Sequence, residues 1–148
     1  MLEDTDPKKP VYPIFTVESD DPKVFIMANG VLEAGNYEEA DICGGLFTGW
    51  DSTGRRLRLV QVNRRADPEA VITDGTPRPE ELRAAIIGWA NMWDPQAPLD
   101  CPGDVTDPIA LYELARKHAE AVEFGPWERS RLGRFVGWLV RLFARPHR

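Results

Sequence analysis

The sequence predicts an α+β fold in which a small antiparallel sheet in the N-terminal half packs against about three helices in the C-terminal half. Residues 11–62 are rich in β-branched and aromatic residues between turn formers, whereas residues 79–145 repeat apolar residues at helical spacing. Strands and helices are grouped rather than alternating, which favours α+β over a parallel sheet. With 148 residues, 43% of them apolar, the chain suits one domain, predicted at residues 11–145 after a flexible leader at residues 1–10.

The first strand is predicted within residues 11–19 (VYPIFTVES), where Pro13 near the start suits an edge or first strand. Residues 20–30 are compatible with either a helix or a strand, because Pro22 suits the first position of a helix while KVFIM fits a strand equally well. Residues 40–43 (ADIC) predict a further short strand. The first sixty residues as a whole therefore favour β-structure.

The most legible stretch is LFTGWDSTGRRLRLVQV, residues 46–62. Two apolar runs flank the turn-forming residues 51–54 (DSTG), and this arrangement predicts two short strands joined by a tight loop. In the second strand arginine alternates with leucine, so the leucines are expected to pack inward and the arginines to face outward. These residues are Arg56, Leu57, Arg58 and Leu59.

Three helices are predicted after the hairpin. The first begins at Pro79, with acids in its first turn and one apolar face formed by Leu82, Ile86, Trp89, Ala90 and Trp93. The second begins at Pro108, with Asp107 as its N-cap, and is expected to end at Gly125 and Pro126. The third covers residues 127–148 and is amphipathic, with a broad apolar sector opposite its arginines.

The C-terminal helix has three interpretations. Its apolar sector can close the core, the helix can lie on a membrane surface, or it can bind another protein. Closure of the core is favoured, because an apolar sector at helical spacing most often faces a core. Trp127 and Trp138 sit beside the arginine face and keep an interface open as an alternative.

Charge is unevenly distributed along the chain. The net charge is -6, and residues 1–44 hold ten acidic side chains against three lysines, whereas residues 127–148 hold six arginines against one acid. A nucleic-acid partner is not expected, because phosphate neutralisation needs a concentrated basic surface, and a basic protein partner fits better. No stretch reaches the roughly 18 apolar residues of a membrane span and no secretory leader opens the chain, so a cytoplasmic location is expected.

No local motif assembles a catalytic set. His118 and His147 lie in no zinc-spaced or Ser-His-Asp arrangement, and there is no glycine-rich phosphate loop, so no cofactor or metal is expected. Cys43 precedes two glycines with no histidine or cation beside it in sequence, which favours a structural role. An enzyme is the alternative, with a site assembled from distant residues such as Cys43 with His118, or a carboxylate pair near Asp41 and Asp51.

Acidic side chains gather before the hairpin and at its turn. A solvated face is the simplest interpretation, and a docking surface for a basic protein is the functional one. The acids predicted to form that surface are Asp20, Asp21, Glu38, Glu39, Asp41 and Asp51. Secondary contacts are predicted for Trp50, Arg56 and Arg58.

Three stretches, IFTVESDD, VLEAGNYEEADI and FTGWDSTGRRLRL, follow one another within about residues 13–60. An acidic strand and helix region before an Asp, Gly, Arg, Leu hairpin resembles the layout of small bacterial immunity proteins from polymorphic-toxin and contact-dependent inhibition systems. The resemblance implies a non-enzymatic protein that binds and blocks a toxin made by the same cell. Together with the charge pattern, it predicts an inhibitor that holds a basic toxin or effector enzyme on an acidic surface.

Overall fold

A computed structural model describes residues 8–30, 32, 37, 39–63, 66–100, 103 and 105–129, with the side chains of the last range described as far as residue 122. In chain order the elements are β1 (Ile14–Glu18), β2 (Phe25–Ala28), α1 (Glu39–Cys43), β3 (Phe47–Asp51), β4 (Arg56–Val60), β5 (Glu69–Asp74), α2 (Pro79–Trp93) and α3 (Pro108–Arg129). The sheet occupies the N-terminal half and the two long helices the C-terminal half. The α+β prediction is confirmed.

The strands form one antiparallel sheet in the order β2-β1-β3-β4-β5. β1 is the first strand of the chain but lies inside the sheet, with Phe15 opposite Met27 of β2 on one side and Trp50 of β3 on the other. Of the two options that Pro13 left open, the first strand of the chain is the one observed, and an edge strand is not. Pro13 is compatible with the inner position because it precedes Ile14, the first paired residue, and so removes no hydrogen bond from the ladder.

The hairpin predicted within residues 46–62 is confirmed as β3 and β4. The Asp51 amide donates to the Arg55 carbonyl at 3.0 Å and the Gly54 amide donates to the Asp51 carbonyl at 2.9 Å. Gly54 has a φ of 85°, a left-handed conformation that glycine adopts without steric cost. Turn chemistry read from the sequence therefore fixes the position of the loop.

Three other short elements differ from the sequence prediction or extend it. Residues 25–28 form β2, so the ambiguity across residues 20–30 resolves to a strand. The strand predicted at residues 40–43 is wrong, because these residues belong to α1, where the Gly44 amide donates to the Ala40 carbonyl in a helical bond. The sequence prediction omits β5, although its AVIT run is rich in strand formers.

Alternation along the strands gives the sheet two apolar faces. One face packs on α2 and α3, and its fully covered residues are Phe15, Phe25 and Trp50. The opposite face forms a second cluster with α1, and this cluster includes Ile14, Ile42, Leu57 and Leu59. The leucines of β4 point inward as predicted, into the cluster on the side away from the two long helices.

α2 begins at Pro79 and buries four of the five residues of the predicted apolar face, Leu82, Ile86, Trp89 and Ala90, whereas the fifth, Trp93, is partly buried. α3 begins at Pro108 after Asp107, whose Oδ1 accepts a hydrogen bond from the Ile109 amide at 3.1 Å. Parallel ring stacking of Trp89 on Tyr112, with centroids 5.5 Å apart, joins the two helices.

The end predicted for the second long helix, Gly125 and Pro126, is wrong, because α3 continues to Arg129. Glycine and proline lower the stability of a helix, but they do not always end it. Beyond Arg129 the predicted C-terminal helix of residues 127–148 lies outside the described residues. Within the described part of the chain, no helix combines the length and apolar character that crossing a membrane requires.

Candidate partner-binding surface

Two acidic segments meet at one end of the sheet, where β1 ends and β3 begins. The amide and the hydroxyl of Ser19, just after β1, both donate to the Leu46 carbonyl at 2.8 Å. Leu46 follows α1, and its own amide donates to the Asp41 carbonyl at 2.9 Å. These bonds hold the β1–β2 turn beside α1. We call this region the acidic end and define it by Asp20, Asp21, Glu39 and Asp41.

Local turn chemistry positions both acidic segments. In the β1–β2 turn, Oδ1 of Asp21 accepts a hydrogen bond from the Lys23 amide at 3.2 Å. After α1, Gly45 has a φ of 70° and turns the chain into β3. Glu38, the fifth acid predicted for this part of the surface, lies outside the described residues. The side chains that reach solvent here are Asp20, Asp21, Glu39 and, to a lesser extent, Asp41.

The lysine nearest to these acids in sequence is engaged elsewhere. Nζ of Lys23 lies 4.9 Å from the ring centroid of Trp93, at the end of α2, in a cation–π contact. Within the described residues, no lysine or arginine forms an ion pair with Asp20 or Asp41. The carboxylates of Asp20 and Asp41 are therefore available to an external cation.

The opposite end of the sheet also carries carboxylates, but arginines pair with them. Nη2 of Arg78 lies 2.9 Å from Asp74 Oδ2 and its Nη1 lies 3.1 Å from Glu81 Oε1. Hydrogen bonds from Thr76 hold the pKa of Asp74 below its ordinary value, and hydrogen bonds from Arg78 lower the pKa of Glu81 in the same way. The two ends of the sheet thus differ in how far their carboxylates are neutralised.

Asp51 is not part of an exposed acidic surface, and its prediction as a partner-binding residue is wrong. Asp51 is 0% exposed. Oδ1 accepts from the Thr53 amide and hydroxyl and from the Arg55 amide, and Oδ2 accepts from the Val11 amide and from Nε of Arg55. Burial alone would raise the pKa of Asp51, but these hydrogen bonds outweigh it and leave the pKa below its ordinary value.

The secondary contacts predicted on the hairpin divide into two kinds. Trp50 is buried against the long helices, so its prediction as a contact residue is wrong. Arg56 lies over the Trp50 ring and donates from Nε to Glu81 Oε2 at 2.9 Å, so it serves the fold. Arg58, two residues further along the same face, is exposed, as predicted.

Neither alternative catalytic pair is brought together. Cys43 is an exposed free thiol on α1, whose Ile42 packs on the face of the sheet away from the long helices. His118 lies on α3, which packs on the other face, so the sheet stands between the two side chains. Asp41 and Asp51 lie at opposite ends of β3, and the carboxylate of Asp51 is already satisfied.

Two cavities lie beside the ends of β4 and β5. One, of about 520 Å³, is lined by Cys43, Phe47, Arg58 and Leu59 among others. The other, of about 460 Å³, includes Tyr12, Leu32, Asp67 and Glu69 in its lining. The sequence pattern did not single out Tyr12, Asp67 or Glu69, because Tyr12 is far from the other two in the chain and the three residues form no motif.

No protein-family model, curated protein or solved structure matches the chain.

Proposed function

We propose that this chain is a non-enzymatic immunity or inhibitor protein that binds a basic toxin or effector enzyme through the acidic end. The supporting observation is the contrast between the two ends of the sheet. Arginines neutralise Asp51, Asp74 and Glu81 at one end, while Asp20 and Asp41 at the other have no ion pair within the described residues.

A carboxylate without an internal ion pair can pair with a cation of a partner without first breaking another ion pair. Charges of one sign on a protein surface steer a partner of the opposite sign and reject partners of the same sign. Enzymes that act on anionic substrates carry a cationic site, which an acidic surface can cover. The proposed partner is an enzyme of this class, for example a nuclease.

Within this proposal, the acidic end and the hairpin have different roles. Asp20, Asp21, Glu39 and Asp41 are the proposed contacts, and exposed Arg58 offers a secondary polar contact. Asp51 and Arg56 hold the scaffold, because both side chains are engaged within the chain. The acidic end stands on turns fixed by backbone hydrogen bonds, so binding requires little ordering of this surface.

The test is capture from a lysate of the cells that encode the protein, followed by affinity measurements with the purified partner. Asp20→Lys combined with Asp41→Lys reverses the two carboxylates that have no described ion pair. Glu80→Lys combined with Asp100→Lys is the control, because these exposed acids give the same change in net charge away from the acidic end.

We expect the wild type and the control to capture one basic protein, and the Asp20→Lys/Asp41→Lys variant to bind it at least about tenfold more weakly. Affinity should fall as salt rises, because exposed charges are screened. The proposal fails if the captured protein is not basic, if the two double variants bind equally, or if no partner is captured.

A further inference from the structure

The cavity of about 460 Å³ beside the start of β5 has apolar walls and a charged rim. Tyr12, Leu32, Pro68 and Ala70 supply the apolar lining, and Asp67 and Glu69 supply carboxylates. The volume falls in the range of small-ligand pockets, and the mixture of an apolar body with few polar groups is typical of them. Asp67 and Glu69 are exposed, so a ligand can reach the rim from solvent.

The charges of the cavity favour a cation. Among the described residues that line it, two carboxylates, Asp67 and Glu69, outnumber one lysine, Lys9. Tyr12, which lines the cavity, is 38% exposed as a residue, so its aromatic side chain is not enclosed by the core. Burial and then the charge of Glu69 raise the pKa of Tyr12, so its hydroxyl stays protonated at neutral pH and is able to donate a hydrogen bond.

The cavity adjoins an edge of the sheet. β5 pairs with β4 along one side, and within the described residues no strand pairs with its other side. An edge strand presents backbone N–H and C=O groups that an extended segment of another chain can pair with. Such a segment would pass directly beside Asp67 and Glu69, because these residues precede and begin β5.

We propose that the edge of β5 and this cavity together accept an extended segment of the basic partner, with one arginine side chain of that segment seated in the cavity. This inference rests on the proposed function and names the part of the partner that is held. Main-chain pairing with β5 supplies affinity, and the cavity selects one side chain, as in other strand-addition complexes.

Arginine fits the lining better than lysine for two reasons. Its planar guanidinium forms two parallel hydrogen bonds with a carboxylate and stacks on an aromatic ring, whereas an ammonium is a point charge. Its apolar stem would lie against Leu32 and Pro68 while the guanidinium reaches Asp67 or Glu69.

The test uses the full chain labelled with ¹⁵N and an acetylated, amidated seven-residue peptide, Thr-Val-Thr-Arg-Thr-Val-Thr. A second peptide with glutamine in place of arginine has the same length and strand propensity without the charge. Protein variants are Asp67→Asn with Glu69→Gln, and, as a control of equal charge change outside both proposed binding surfaces, Glu80→Gln with Asp100→Asn.

We expect the arginine peptide to shift amide resonances of β5 and of Tyr12. Binding should be about tenfold weaker for the glutamine peptide, and about tenfold weaker for the Asp67→Asn/Glu69→Gln variant. The Glu80→Gln/Asp100→Asn variant should bind the arginine peptide as the wild type does. The inference is overturned by an absence of shifts in β5, by equal binding of the two peptides, or by equal losses in the two protein variants.

The peptide experiment and the capture experiment fail separately. If the natural partner is lost by Asp20→Lys/Asp41→Lys but retained by Asp67→Asn/Glu69→Gln at full affinity, the proposed function stands and the strand-addition site is rejected. If the peptide binds as expected but no basic partner is captured, the cation site stands and the proposed function is rejected.

Discussion

The guanidinium of Arg56 lies 4.7 Å from the ring centroid of Trp50, directly opposite it in the β3–β4 ladder. The same group donates to Glu81 of α2 at 2.9 Å. Arg56 therefore fastens the hairpin to a helix while it covers a buried indole. The two faces of the hairpin therefore have different contacts. Leu57 and Leu59 fill the core cluster on the side of α1, and Arg56 covers Trp50 at the edge of the cluster on the side of the long helices.

Arg56→Ala should lower the free energy of unfolding by about 1 kcal/mol, because it removes the cation–π contact and the stem that covers Trp50. Arg58→Ala is the matched control, since Arg58 lies on the same strand and face but is exposed, and it should cost about 0.5 kcal/mol or less. Urea denaturation followed by tryptophan fluorescence measures both. Equal losses would mean that Arg56 contributes no more than an ordinary surface arginine.

Asp51→Asn should destabilise the chain by about 2 to 4 kcal/mol. The carboxylate is surrounded by donors from Val11, Thr53 and Arg55, and an amide would turn an NH₂ group towards some of them. Asp20→Asn, at an exposed position, is the control and should change stability by about 0.5 kcal/mol or less. Denaturant midpoints measure the difference, and a neutral Asp51→Asn would mean that the donor cluster does not stabilise the fold.

Stability should fall on acidification, partly through Asp51. Its pKa in the folded chain lies below the ordinary value of 3.8, so the folded state binds this proton less tightly than the unfolded state does. The resulting stabilisation is present above that ordinary value and is lost as the pH falls through the lower, folded pKa. Denaturation curves between pH 7 and acidic pH should show a weaker pH dependence for Asp51→Asn than for the wild type. Identical slopes would exclude Asp51 as a source of acid sensitivity.

Sequence patterns predict the hairpin and α2 well, because their signals are local. The DSTG turn and the four apolar residues of α2 need no distant partner to be recognised. α1 is different: four of its five residues, ADIC, suit either structure, and Ile42 packs against the sheet only in the helix that forms. The position of β1 inside the sheet also depends on strand pairing, which a single sequence does not reveal.

For the candidate site, too, the sequence locates residues with local signals better than residues whose surroundings come from distant segments. The acids of the β1–β2 turn and α1 are local polar residues in exposed positions, and the structure places them at one end of the sheet. Asp51 has the same residue type and a turn sequence, but its burial results from Val11 and Arg55 closing around it. The cavity at Tyr12, Asp67 and Glu69 arises from segments more than fifty residues apart.

Two glycine-to-alanine substitutions should have opposite effects. A Cβ at Gly49 in β3 would lie 2.2 Å from the Phe15 carbonyl oxygen, a backbone atom that cannot move without separating β3 from β1. Gly49→Ala should therefore cost about 3 kcal/mol or more, or prevent folding. Gly88 lies on the exposed side of α2 with nothing within 4 Å of an added Cβ, so Gly88→Ala should stabilise the chain by about 0.5 to 1 kcal/mol.

The same pair of substitutions tests the approach of β1 to β3 and the open space on the exposed side of α2. Far-ultraviolet circular dichroism and denaturant midpoints distinguish a misfolded Gly49→Ala chain from one that is folded but weakened. A fully stable Gly49→Ala variant would mean that β1 and β3 are further apart than the Phe15 contact requires. A destabilised Gly88→Ala variant would mean that a segment outside the described residues packs on this side of α2, because an exposed helical position gains from alanine unless something occupies the space that its methyl group needs.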